Sequence, residues 1–205
     1  MNKKLTIPIL VAATLWFLMF SIWTKHWFNF WIGISISALI LMVLAIVLER
    51  DILKQFQWNW QSIGLGLLAA VVLWVVFYFG EFFSSLLFGF AREQVDGIYA
   101  MKENQNKLWI ALGLFFIMGP AEEIFWRGYV QQKFIDKYGE WKGLIFATLI
   151  YALVHIWSFN FMLVMSALVC GVFWGVMYRY NKNLVPLIIS HAVWDVMVFI
   201  LLPIM

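Results

Sequence analysis

Long apolar runs separated by short polar breaks make up this chain. The pattern predicts spans at about Leu5 to Trp23, Phe28 to Leu48, Ile63 to somewhere in Phe82 to Phe90, Leu108 through Glu122 and Glu123, Gly143 to Trp157, Phe159 to Tyr178 and Leu184 to Leu202. Apolar runs of about 18 residues with few charges are long enough to cross a bilayer as helices. They are continuous rather than alternating, which argues against barrel strands. The expected fold class is therefore all-α: a polytopic helical membrane protein with about seven transmembrane helices. No small-residue cleavage site follows the first run. Trp23, Lys25, His26 and Trp27 come next, so it is read as an uncleaved span. Trp58 and Trp60, in the polar stretch Glu49 to Gln61, read as interface anchors. Glu81 falls at headgroup depth and reads as a boundary residue. Val130, Phe134, Tyr138 and Trp141 recur at helical spacing among charged residues, which predicts an amphipathic segment lying along the interface. Ala167, Gly171 and Gly175 stand four apart, the small-residue pattern that lets helices approach closely.

Composition sharpens the class. Of 205 residues, 64% are hydrophobic and 12% charged, against about half and a quarter in soluble domains. The net charge of +3 needs no nucleic-acid partner, because lysines facing anionic membrane lipid account for it. A lone Cys170 excludes an internal disulfide and a multi-cysteine metal cage. Seven spans put the termini on opposite sides. With the N-terminus inside, nine basic residues (Lys3, Lys4, Arg50, Lys54, Lys133, Lys137, Lys142, Arg179, Lys182) face the cytoplasm and four (Lys25, Arg92, Lys102, Lys107) face out. That bias predicts a cytoplasmic N-terminus. Small size and the lack of targeting signals suggest a bacterial plasma membrane.

The candidate chemistry lies in Gly119-Pro120-Ala121-Glu122-Glu123-Ile124-Phe125-Trp126-Arg127. Ionisable side chains at membrane depth are costly and are functional candidates by default. On a helix Glu123 and Arg127 share a face and can pair, while Glu122 points elsewhere and stays free. Pro120 kinks the helix just before it. Two more polar pairs sit in apolar runs at spacing four, Tyr151 with His155 and His191 with Asp195. At about 1.5 Å per residue these groups fall within about two helical turns of one depth. A carboxylate and a histidine around one water form a general-base arrangement, and a second histidine can help stabilise an oxyanion. Asp195 is expected to fix the tautomer of His191. With neutral histidines, Glu122, Glu123 and Asp195 against Arg127 leave a net −2, so the site is expected to hold an extra proton at neutral pH.

Glu122-Glu123-x-x-x-Arg127, then Tyr151-x-x-x-His155, then His191-x-x-x-Asp195, in this order on successive apolar helices, resembles the CPBP family: CAAX prenyl endopeptidases and bacteriocin-processing proteins, also called Abi. The resemblance divides the chain into N-terminal helices and loop, 1–107, and a catalytic core, 108–205. It implies an intramembrane endopeptidase that hydrolyses a peptide bond of a membrane-associated, prenylated or leader peptide. Glu122 and His155 would activate water, Glu123 and Arg127 would support them, and His191 and Asp195 would line the opposite wall. This chain has Tyr151 where the family usually has Phe, and Asp195 where Asn is commonest. The family has been called both glutamate-type and metal-dependent. The reading preferred here needs no cofactor. The alternative is zinc on Glu122, His155 and His191, although no His-Glu-x-x-His is present. A different class also stays open: a non-catalytic immunity or scaffold protein of the same fold that binds a peptide or protein partner.

Overall fold

The structure, a computed structural model, describes residues 3–204. Eight helices carry the fold: α1 (Lys3–Phe20), α2 (Phe30–Leu48), α3 (Trp60–Leu87), α4 (Ala91–Ala100), α5 (Lys107–Tyr138), α6 (Glu140–Leu153), α7 (Phe161–Tyr180) and α8 (Leu184–Leu201). There is no strand among the described residues. Seven helices are long and apolar enough to cross a membrane, the one ending near Ser158 being counted with α6. The chain is an integral membrane protein.

Local sequence explains where five of these helices start. Asn29, Asn59, Asn106, Asn160 and Asn183 each stand before an apolar run, and each side-chain oxygen accepts from a backbone N–H two or three residues on. An asparagine cap satisfies donors that have no partner inside the helix and stabilises the start by about 1 kcal/mol. The outward faces of α2 and α3 stay apolar and exposed, as at Val47, Leu68 and Leu86, which suits lipid rather than water.

Helix α5 is one continuous rod of 32 residues. The expected interfacial segment is therefore not a separate element. Val130 and Phe134 are buried, and Phe134 packs on Phe146 of α6. An apolar stripe shows that one face is covered without showing what covers it; here another helix covers it. Pro120 cannot donate to the helical ladder, and the rod adapts with wide, π-helical turns at Leu114–Met118 and Ile124–Gln131. The Gly119 N–H reaches the Leu114 carbonyl, five residues back. Such turns absorb a disrupted ladder and recur at functional sites.

Close helix contacts depend on small residues. A Cβ on Gly119 would lie 2.9 to 3.2 Å from the Ala192 N, Cα and Cβ of α8. One on Gly143 would meet the Ile135 backbone at 2.6 Å, which explains the tight α5–α6 hairpin. Gly171 and Gly175 bring α7 against Thr148 and Tyr151 of α6 and against Gln131 of α5, as their spacing suggested. His155 departs from expectation in one respect. Helix α6 proper ends at Leu153, and His155 sits in the tighter turn that follows.

Candidate functional site

Glu122 and Glu123 hang from α5 on the side of the rod that meets α6 and α8. Glu123 is fully buried and makes the pair the sequence predicted: Arg127 Nη1 donates to its Oε1 at 2.9 Å. The same oxygen takes His191 Nδ1 at 2.7 Å. Arg127 also donates to the Cys170 carbonyl at 3.3 Å and lies against the rings of Tyr151 and Trp174. A carboxylate, a carbonyl and two π-faces thus surround the guanidinium, which is how a buried charge is made tolerable.

The histidine on α8 differs from expectation. His191 Nε2 lies 3.6 Å from Asp195 Oδ2, beyond hydrogen-bond range. Its firm partner is Glu123, and Trp174 stacks on its ring at 3.9 Å. Glu123, not Asp195, therefore fixes the ring: the carboxylate accepts from Nδ1–H, and Nε2 is left toward Asp195 and the cavity. Spacing placed Asp195 on the correct helix face, but the ring turns toward the carboxylate on α5.

Glu122 is not left free. The Tyr151 hydroxyl donates to its Oε2 at 3.0 Å. The tyrosine four residues before His155 thus touches this carboxylate directly. His155 is held at both ring nitrogens. Nδ1 lies 2.8 Å from the Tyr151 carbonyl, and Nε2 lies 3.1 Å from Trp16 Nε1 on α1. Trp16 is fully buried and belongs to no motif in the sequence. Its one available signal was position: a tryptophan in mid-span, away from the interfaces where this residue usually collects, carries an N–H that needs a buried partner.

Glu122, Tyr151, His155, His191 and Asp195 all line one cavity of about 460 Å³. Glu123 and Arg127 lie behind its wall. Its other walls are apolar and come from α1, α2, α3, α4, α7 and α8, with Glu81 near its rim. Glu81 pairs with Arg92 of α4 at 3.2 Å, so this boundary residue also tethers a helix that adds Val95, Ile98 and Tyr99 to the lining. The pocket has the size and make-up of a ligand site: mostly apolar, with a few convergent polar groups.

Zinc would need three protein ligands and an open position. Among the described residues no group of three His, Cys, Asp or Glu side chains is placed to hold a metal. His155 has both nitrogens engaged, and His191 has Nδ1 on Glu123. The proposed ligands Glu122, His155 and His191 do not fit a metal in this arrangement.

Residues 104–197 match the family model described as Rce1-like, Type II CAAX prenyl endopeptidase Rce1-like. The matched stretch contains all three motifs and excludes α1, α2 and α3. Neither the curated proteins nor the solved structures compared with the chain include a match.

Proposed function

The core of this chain belongs to the CAAX protease and bacteriocin-processing family, and on that premise we propose that it is an intramembrane endopeptidase of membrane-associated peptides. The observation that supports this most is the convergence of Glu122 from α5, His155 from the turn after α6, and His191 and Asp195 from α8 on one largely apolar cavity. In this reading a peptide strand enters the cavity with its scissile carbonyl beside Glu122. A water between Glu122 and His155 attacks the carbonyl carbon, and Glu122 takes its proton. The tetrahedral oxyanion faces His191 Nε2 and Asp195, where one proton shared between them supplies the donor. Glu122 then passes its proton to the leaving amine, and the C–N bond breaks. Glu123 and Arg127 hold His191 and the backbone in place from behind. No step is assigned to a metal.

The substrate class that suits an apolar cavity with a polar floor is a lipidated or strongly apolar peptide presented from the bilayer, such as a prenylated C-terminus or a leader peptide. The test is cleavage of a panel of such peptides by purified protein in detergent micelles. Wild type, Glu122→Gln and His155→Ala are compared with and without a strong zinc chelator. Loss of cleavage by more than about a hundredfold in Glu122→Gln, with wild type unaffected by chelator, is expected. Loss under chelator with recovery on adding zinc would overturn the metal-free mechanism. Full activity in Glu122→Gln would remove the carboxylate from the reaction.

A further inference from the structure

We propose that Trp16 is a positioning residue for His155: it holds the ring in one neutral tautomer and occupies the nitrogen that would otherwise meet a metal or a proton. The assignment follows from the partners. An indole N–H can only donate, and a carbonyl oxygen can only accept. His155 Nε2, 3.1 Å from Trp16 Nε1, therefore carries the lone pair. His155 Nδ1, 2.8 Å from the Tyr151 carbonyl, therefore carries the hydrogen. Trp16, Phe20 and Tyr151 surround the ring at centroid separations of 6.1, 5.2 and 5.4 Å. Trp16 itself packs edge-on against Trp126 of α5. Both Trp16 and His155 line the cavity.

This arrangement brings α1, which lies outside the matched stretch, into the working of the site. The indole occupies Nε2 until the attacking water takes its place. His155 then receives that water already in the tautomer with Nε2 free to accept. The metal-ligand reading requires that same nitrogen, so a site built this way resists zinc. The effect on rate rests on the protease reading, but the hydrogen bond does not.

Ring-¹⁵N-labelled histidine and indole-¹⁵N-labelled tryptophan make the bond visible by NMR in micelles, and the chain has only three histidines to assign. In wild type a ¹⁵N–¹⁵N coupling across the Trp16–His155 hydrogen bond is expected, with His155 shifts of an Nδ1–H ring. Trp16→Phe should abolish the coupling and move His155 toward a mixture of tautomers. The same variant should lower kcat by roughly tenfold or more with little change in KM, as expected when a group is misplaced rather than removed. A wild-type His155 protonated at Nε2, or one with no coupling to an indole, overturns the proposal. So does a Trp16→Phe protein whose His155 shifts or kcat match wild type. The wild-type spectrum decides the bond even if the variant misfolds. It also decides it if wild type cleaves no peptide, the result that would count against the protease reading instead.

Discussion

Arg127 shows how narrow the tolerances are for a single charge in this core. Its guanidinium is the cation that faces Glu123, and both side chains are essentially shut off from solvent. Replacing Arg127 by Met would leave Glu123 buried with only His191 beside it. Breaking one side of such a pair typically costs about 3–5 kcal/mol, so Arg127→Met is expected to lower the unfolding midpoint in mild detergent sharply, whatever it does to cleavage. Tyr151→Phe is the opposite kind of change. It keeps the ring that packs on Trp126 and removes only the hydroxyl on Glu122. Its stability should fall by no more than about 1–3 kcal/mol. Its effect should appear in the cleavage rate, and a rate and pH profile equal to wild type would show that the hydroxyl is only packing. These residues were legible in the sequence because an ionisable group in an apolar run is conspicuous. Trp16 was not, because an indole counts as apolar in any hydropathy pattern and its N–H acquires meaning only when a partner is placed against it. The partner of His191 was not legible for a related reason. Spacing shows which residues share a helix face, but it cannot show that the ring turns across to α5.

Helices α5 and α8 come closest backbone to backbone at Gly119, one turn before Glu123, against Ala192, the neighbour of His191. A Cβ on Gly119 would stand within 2.9 Å of the Ala192 backbone nitrogen, and backbone cannot step aside as a side-chain tip can. Gly119→Ala should force the helices apart, at a cost of about 1–3 kcal/mol for overpacking, and should weaken the His191–Glu123 hydrogen bond. Gly64→Ala on α3 is the control, since nothing lies within 4 Å of its Cβ position. Gly64→Ala should unfold at or slightly above the wild-type midpoint, because alanine favours a helix. Equal midpoints for the two variants would show that α5 and α8 have slack at this contact. Most elements were legible, since seven apolar runs bounded by Asn, Gly and charged breaks leave few alternatives. The exception was the second half of α5, where polar positions at Lys133, Asp136 and Lys137 imitate an interfacial helix while Val130 and Phe134 are in fact packed between helices.

At the scale of the whole molecule, the cavity and the basic loops lie on opposite faces. Phe20, Phe30, Phe88, Tyr99, Phe161 and Ile204 line the cavity, and they come from the ends of helices nearest the 21–29, 88–106 and 159–160 connections and the C-terminal end. The connections 49–59, 139 and 181–183, which lie with the start of α1 on the other face, are bordered by nine basic residues against four. Positive segments are retained on the cytoplasmic side, so the reading that follows places the mouth of the site outward. A peptide would then be cut after it had reached the outer leaflet, and a substrate held wholly in the cytoplasm would not meet Glu122. Single cysteines decide this, because the native Cys170 is buried. In intact cells a membrane-impermeant maleimide should label Glu103→Cys, whose side chain is exposed on the cavity face, and should label Gln57→Cys, exposed on the basic face, only after lysis. The reverse pattern would turn the protein over in the membrane. It would leave the geometry of the cavity intact but make its substrates cytoplasmic peptides, and a cleavage panel would then be drawn from prenylated C-termini rather than from exported leaders.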